Sequence, residues 1–139
     1  MDADRLKAIP LFGGLGRKQL DEIAGWADEV DLPAGKALVT EGTFAYEFVI
    51  IEAGSAEVTS GGQHLADLGP GDYLGEIGLL AAPRRTASVV TTAPMRAVVM
   101  TGPSFRAMVK ALPSVAEQIR SAIDARMSRT ARGEPQAVD

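Results

Sequence analysis

The segment "GEIGLLAAPRRTASV", residues 75–89, decides how this chain is interpreted. It places one acid, Glu76, and two adjacent arginines, Arg84 and Arg85, around small and apolar residues. Gly75 has no Cβ, so a ligand can approach its backbone closely. A short helix beginning there would present unpaired N–H groups and a positive dipole end to an anion. The segment therefore predicts either a helix and loop with solvated charges, or a site for a small anion that also bears hydroxyl groups.

The charged residues favour a ligand that combines an anion with a hydroxyl group. Arg85 can make a paired, charge-assisted contact with the anion, and Thr86 adds a hydroxyl donor beside it. Glu76 would repel a bare anion, but its carboxylate can accept a hydrogen bond from a sugar hydroxyl. A phosphate and a sugar hydroxyl in one compact molecule satisfy both residues. The alternative is an ion pair between Glu76 and Arg85 that braces an empty loop.

The region around this segment has the pattern of an antiparallel β protein. Over residues 31–101, short runs rich in Val, Ile and Thr alternate with turn signals about every eight to twelve residues. Residues 61–62 (Gly-Gly) predict a two-residue hairpin turn. Residues 54–55 (Gly-Ser) predict a second hairpin, and residues 69–71 (Gly-Pro-Gly) a sharp turn. We therefore expect a roll of about eight short strands, interrupted by a helix-like insert.

Helical periodicity is found on both sides of the β region, over residues 1–30 and 102–132. The first part has an apolar stripe formed by Leu20, Ile23, Ala24 and Ala27. Pro103 suits a first helical turn. The last helix has an apolar stripe formed by Val115, Ile119, Ala122, Ile123 and Met127. This stripe predicts packing onto the roll of the same chain or, alternatively, pairing with a second chain. We expect one domain over residues 1–132 and a disordered polar tail over 133–139.

Composition excludes several function classes. The net charge of −4 disfavours general affinity for nucleic acid, which depends on many Lys and Arg contacts to phosphate. No cysteine is present, so disulfides and thiolate zinc sites are excluded. His64 is the one histidine, and we interpret it as an ordinary polar strand residue. We expect no metal, no signal peptide and no membrane insertion, and a cytoplasmic location.

The central segment resembles the phosphate-binding cassette of cyclic-nucleotide-binding domains. These domains occur in cAMP-dependent kinase regulatory subunits, catabolite-activator-type regulators and cyclic-nucleotide-gated channels. Their pattern of Gly-Glu-x-small-Leu-x, a short spacer and Arg-Thr/Ser/Ala-Ala-Thr/Ser-Val is matched by residues 75–80 and 85–89. The positions of Gly42, Gly54 and "LGPGDYLGE" extend the similarity over nearly the whole chain. The chain departs from the family at residues 45–46, where Ala-Tyr replaces a common Gly-Asp.

This resemblance implies a mainly β, α+β fold. It consists of an antiparallel β-roll, or jelly roll, of about eight strands with an internal phosphate-binding helix and with N- and C-terminal helices. It also implies that Glu76 accepts from the ribose 2′-hydroxyl, that Arg85 pairs with the cyclic phosphate and that Thr86 touches the phosphate. The implied backbone lining is Gly75, Ile77, Gly78 and Ala87. Similar cassettes with "RRTASV" predict cAMP in preference to cGMP as the ligand.

The function implied is a sensor without catalytic activity that signals through its C-terminal helices. If the last helix closes as a lid, Ile119, Ile123 or Met127 would give apolar cover, and Arg120 or Arg126 would either reach the purine edge or stay solvated. The partner is an unidentified effector protein, or a second copy that pairs through Val115, Ile119, Ala122 and Met127. DNA binding and enzymatic hydrolysis are not expected. The alternative function is that of a ligand-free fold acting as a protein-interaction module.

Overall fold

A computed structural model describes residues 2–40, 47–75 and 87–131, with side chains described as far as residue 122. The helices are α1 (Ala3–Lys7), a 3-10 helix (Pro10–Phe12), α2 (Arg17–Trp26), α3 (Gly102–Ala111) and α4 (Pro113–Ala131). The strands are β1 (Asp28–Leu32), β2 (Ala37–Val39), β3 (Glu47–Ala53), β4 (Ala56–Ser60), β5 (Gln63–Leu68), β6 (Tyr73–Leu74), β7 (Ser88–Thr91) and β8 (Met95–Thr101).

The strands form two four-stranded sheets. Their orders are β1-β8-β3-β6 and β2-β7-β4-β5, and neighbouring strands are antiparallel throughout. Together with the helices on either side of the β region, this confirms the predicted mainly β roll of about eight strands. The predicted internal phosphate-binding helix falls at residues 76–86, outside the described residues.

The two-residue hairpin predicted at residues 61–62 is confirmed. Ser60 pairs with Gln63 across the turn that joins β4 to β5. Gly61 and Gly62 have φ values of 59° and 80°, the left-handed conformation that such a turn requires at both positions. His64 lies in β5 and is exposed, with Nδ1 2.8 Å from a carboxylate oxygen of β4, so the interpretation of this residue is also confirmed.

The second hairpin, predicted at residues 54–55, is wrong. The chain does bend there, but β3 pairs with β6 and β8, whereas β4 pairs with β5 and β7. Gly54 has a φ of 99°, and a Cβ built on it would lie 2.5 Å from the carbonyl oxygen of Pro94. The turn therefore carries the chain from one sheet to the other, in close contact with the segment before β8.

The β region begins at Asp28, three residues earlier than expected, because α2 ends at Trp26. The sequence of β1, Asp-Glu-Val-Asp-Leu, has three acids and little intrinsic preference for a strand. Its five residues pair in register with Met95–Val99 of β8, and Arg96 Nε lies 2.8 Å from Glu29 Oε1. Pairing with a neighbouring strand therefore determines the structure of this segment.

One sheet separates two buried apolar clusters. Within β3, Phe48 and Ile50 pack with the helices, whereas Val49 and Ile51 face the space between the sheets. This alternation follows the two-residue period of a strand. On the helical side, Leu20 and Ile23 of α2 are buried, as the apolar stripe predicted. The first turn of α3 includes Pro103, also as predicted, and Thr101 Oγ1 accepts a capping hydrogen bond from the Ser104 N–H at 3.3 Å.

The apolar stripe of α4 packs onto its own domain. Val115 and Ile119 are fully buried in the helical cluster, which also contains Leu11 and Phe12 of the 3-10 helix. This agrees with the predicted alternative that the stripe packs onto its own chain, since the side chains of Val115 and Ile119 present no surface to a second chain. Ala122 is half-buried, while the side chains of Ile123 and Met127 lie outside the described residues.

Candidate functional site

The candidate site lies where the chain crosses between the two sheets. Residues 76–86 connect β6, at the edge of one sheet, to β7, which lies inside the other. Leu74, the last residue of β6, and Ala87, just before β7, are both fully buried in the cluster between the sheets. Both ends of the connection are therefore fixed in the interior of the roll.

Of the seven predicted site residues, the structure describes Gly75 and Ala87 at the two ends of the connection. Gly75 has a φ of 98°, and a residue with a Cβ would be strained in this conformation. Ala87 has no exposed surface. The predicted ligand-contacting residues Glu76, Ile77, Gly78, Arg85 and Thr86 lie outside the described residues, as does Arg84.

Apolar residues on β4 and β7 share the buried cluster that holds the ends of the connection. Ala56 and Val58 of β4 and Val89 of β7 are fully buried there. These residues were not among the predicted site residues. The alternation in β4, where Glu57 and Thr59 are only half-buried, was the signal that could have identified its inner face. These side chains share an apolar cluster with Leu74 and Ala87, the residues that flank the connection.

Thr91 fixes the far end of β7. Its hydroxyl accepts a hydrogen bond from the Lys36 N–H at 2.8 Å and donates one to the Pro33 carbonyl oxygen at 2.7 Å. Its backbone also exchanges hydrogen bonds with Gly35 and Lys36. Thr91 is only 2% exposed, so these bonds are largely shielded from water. The strand that follows the connection is therefore held at both ends, by Ala87 and by Thr91.

A charged network on the other side of β3 joins α1 to the sheet. Arg5 donates hydrogen bonds to Glu52 of β3 and forms an ion pair with Glu29 of β1. The hydrogen bond to Glu52 raises the pKa of Arg5, and the nearby Glu29 acts in the same direction. Arg96 of β8 extends the network through its contact with Glu29.

Helix α4 approaches Tyr73 of β6 with its polar side. A pocket of about 410 Å³ is lined by Tyr73, Ser114, Glu117, Gln118 and Ser121. Tyr73 precedes Gly75 by two residues, and its side chain packs with Phe48 on the helical side of the sheet, opposite to Leu74. In addition, Gln118 Nε2 donates to the carbonyl oxygen of Leu11 in the 3-10 helix at 3.5 Å.

Two residues suggested for a closing lid are placed elsewhere. Ile119 is fully buried among the helices, so it gives no free apolar cover for a base. Arg120 is exposed and lines a different groove, with α3, which agrees with the solvated alternative for this residue. The side chains of Ile123, Arg126 and Met127 lie outside the described residues.

Within the described ranges, no cluster of three or more His, Asp or Glu side chains is arranged to hold a metal ion. In the same ranges, no helix combines the length and the apolar character that crossing a membrane requires.

Comparison with known proteins identifies relatives of the chain. The family model of the cyclic nucleotide-binding domain matches residues 29–111. A cAMP-dependent protein kinase regulatory subunit from Yarrowia lipolytica is 30% identical over 106 residues, which cover 75% of this chain and 28% of the relative. The match to a cyclic AMP receptor protein from Thermus thermophilus is 28% identical and covers 88% of this chain and 59% of the relative. The chain thus spans less than two thirds of the length of these curated relatives.

A solved structure is also similar to most of this chain. The crystal structure of the Thermus thermophilus catabolite activator protein has a TM-score of 0.75 at 30% identity and covers 90% of this chain and 61% of that protein. The match of the family model extends from β1 to the end of α3 and includes the crossing between the sheets. This chain belongs to the cyclic nucleotide-binding domain family.

Proposed function

We propose that the chain is a sensor that binds a cyclic nucleotide, cAMP in preference to cGMP, at residues 75–87. The observation that carries the proposal is that both ends of this segment are fixed between the sheets: Gly75 in a left-handed conformation and Ala87 without exposed surface. A loop held in this way can present successive backbone N–H groups to a phosphate with little freedom left to lose.

We propose distinct roles for the side chains of Glu76, Arg85 and Thr86. Arg85 pairs with the cyclic phosphate, and Thr86 donates to a phosphate oxygen. Glu76 accepts from the ribose 2′-hydroxyl, which keeps its carboxylate away from the anion. The backbone lining is Gly75, Ile77, Gly78 and Ala87. Family membership supports this assignment, as do the adjacent Gly-Glu and the Arg-Thr-Ala-Ser-Val run of the segment.

The preference for cAMP rests on the relatives. Those reported above are named as a cAMP-dependent kinase regulatory subunit and as a cyclic AMP receptor protein. We extend that ligand to this chain because the family model includes the whole segment.

We further propose that ligand binding is signalled through α4. A ligand that prefers one arrangement of segment and helix shifts the population toward that arrangement. The pocket between Tyr73 and the polar side of α4 supports this coupling, because Tyr73 precedes Gly75 by two residues. The output is binding to an unidentified effector protein rather than catalysis. The predicted cytoplasmic location and the extent of the domain over residues 1–132 stay predictions.

Calorimetric titration with cAMP, cGMP and 5′-AMP tests the proposal. We expect cAMP to bind more tightly than cGMP, and both to bind more tightly than 5′-AMP, whose open phosphate carries a different charge and shape. Absence of heat, together with an unchanged melting temperature at millimolar cAMP, would contradict ligand binding. That outcome would favour the alternative of a ligand-free domain that acts as a protein-interaction module.

A further inference from the structure

A groove of about 450 Å³ lies between α3 and α4, apart from the candidate nucleotide site. We call it the α3–α4 groove, and its lining residues are Arg106, Val109, Lys110, Pro113, Ala116 and Arg120. Arg106, Lys110 and Arg120 are exposed, whereas Val109 is half-buried and Ala116 is only 2% exposed. The groove thus has an apolar base and three positively charged side chains around it.

Helical spacing places the three cations at this groove. Arg106 and Lys110 are four residues apart on α3 and therefore lie one above the other. On α4, Pro113, Ala116 and Arg120 are separated by three and four residues, so they share one face. The two helices are joined by Leu112 alone, which keeps these faces next to each other.

The charges of this region are segregated by sign. Residues 102–116 contain no Asp or Glu, although the chain as a whole has a net charge of −4. The first acid of α4, Glu117, lines the separate pocket beside Tyr73. Among the described residues that line the groove, none is an acid.

We propose that the α3–α4 groove docks an acidic peptide segment of a partner protein. Carboxylates of the peptide pair with Arg106, Lys110 and Arg120, and one or two of its apolar side chains cover Val109 and Ala116. A peptide fits better than a nucleic acid, because an apolar base gives phosphates and sugars nothing to pair with and three cations are few for binding a phosphate backbone.

The expected binding is weak and depends on salt. The groove is lined by six residues, far fewer than the roughly 20–30 residues per partner of a standard protein interface. Exposed ion pairs are also screened at moderate ionic strength. We therefore expect micromolar affinity at low salt. The inference does not depend on the proposed nucleotide site, and it assigns a surface through which the domain can meet a partner.

A random-peptide phage library selected on the immobilised full chain tests the proposal. The test variant carries Arg106→Glu, Lys110→Glu and Arg120→Glu. A matched control carries Lys7→Glu, Lys18→Glu and Lys36→Glu, which change the net charge equally at exposed positions outside the groove. Thermal melting verifies that both variants fold. Fluorescence anisotropy then measures the affinities of the enriched peptides. A fluorescein-labelled single-stranded DNA is measured in the same way for comparison.

We expect the selection to enrich peptides that combine Asp or Glu with apolar residues. The groove variant should bind them at least about tenfold more weakly than the unmodified chain, whereas the control should bind them as well as the unmodified chain does. The proposal would be overturned if the selection enriched no acidic peptides, or if both variants lost peptide affinity equally. It would also be overturned if the DNA bound more tightly than any peptide and only the groove variant lost DNA affinity. The last outcome would reassign the groove to nucleic acid.

Discussion

Arg5 in the N-terminal helix and Glu52 in β3 are 47 residues apart and form an ion pair with two hydrogen bonds. Nε and Nη2 of Arg5 both donate to Oε1 of Glu52, with an Nε–Oε1 distance of 2.9 Å. The same guanidinium contacts Glu29 of β1. The side chains of Glu52 and Glu29 are about one-fifth exposed, so Arg5 offsets two carboxylates that are largely withdrawn from water.

Replacement of Arg5 by Leu should therefore lower the free energy of unfolding more than replacement of Arg17 by Leu. Arg17 pairs only with the well-exposed Asp4 and Asp21, at 3.3 Å in each case. The raised pKa of Arg5 means that its contribution is fully present below its unfolded pKa and is lost only as pH rises through the higher folded value. Urea denaturation should thus give the same loss at about pH 7 and about pH 9. Equal losses for the two variants would contradict the role of Arg5.

Gly54 should not tolerate a side chain. Gly54→Ala forces a Cβ to within 2.5 Å of the Pro94 carbonyl oxygen and 2.8 Å of the Met95 Cα, at a φ of 99°. We expect a loss of about 2 kcal/mol or more in chemical denaturation, because both contacts are with backbone. Gly25→Ala is the control, since nothing lies within 4 Å of its added Cβ, and it should raise stability by up to about 1 kcal/mol. A neutral Gly54→Ala would show that the crossing between the sheets can shift.

Thr91→Val should destabilise the domain by about 1–3 kcal/mol. Valine keeps the shape of threonine but leaves the Lys36 N–H and the Pro33 carbonyl oxygen without the partner that Thr91 supplies. Thr92→Val removes the neighbouring hydroxyl, which contacts Ser55 at an exposed position, and should be nearly neutral. Differential scanning calorimetry of the two variants measures the difference. Similar melting temperatures would mean that water replaces the Thr91 hydroxyl.

Ile119→Ala should cost about 2–5 kcal/mol of stability without changing the oligomeric state. Ile119 is fully buried within its own domain, so truncation leaves a cavity there rather than at an interface between chains. Ser121→Ala changes an exposed residue of the same helix and serves as the control. Urea denaturation and sedimentation together make the test. If Ile119→Ala dissociated a dimer while the folded monomer kept its stability, the packing described above would be wrong.

Arg85 and Arg84 should differ strongly in ligand binding if the proposed nucleotide site is right. Arg85→Ala should weaken cAMP binding by about 2–5 kcal/mol, since it would remove the partner of a desolvated phosphate. Arg84→Ala should have a much smaller effect, because we expect its guanidinium to be solvated. Calorimetric titration of the two variants gives both values. Small and equal losses would contradict the assignment of Arg85.

Features that depend on neighbours in sequence were predictable. The Gly61-Gly62 turn follows from the positive φ that two adjacent glycines allow, and the buried Leu20 and Ile23 follow from helical spacing. The crossing at Gly54 was not predictable in this way, because a glycine marks a bend without selecting which strand pairs next. That selection is made by β8, which lies more than forty residues further along the chain.

Prediction of the candidate site was likewise limited to features that depend on neighbours in sequence. Its motif predicted the segment, and the structure describes two of the seven predicted residues, the left-handed Gly75 and the buried Ala87, so the assignment stays a prediction. The role of Thr91 was not predictable, since a threonine in a Val- and Thr-rich strand has nothing local to indicate that its hydroxyl meets Lys36 and Pro33. The early start of β1 was missed for a similar reason, because three acids oppose a strand until Arg96 and the register with β8 are known.

The ends of the two sheets have a consequence for assembly. Among the described strands, β1 and β6 are the edge strands of one sheet, and β2 and β5 are the edge strands of the other. β6 and β2 are only two and three residues long, β1 carries three acids, and the pairing of β5 with β4 contains an irregularity. Short, charged or irregular edge strands disfavour pairing with a strand of another molecule. The described edge strands therefore disfavour polymerisation of the folded domain by strand pairing. Contacts between molecules are expected at its helices and loops instead.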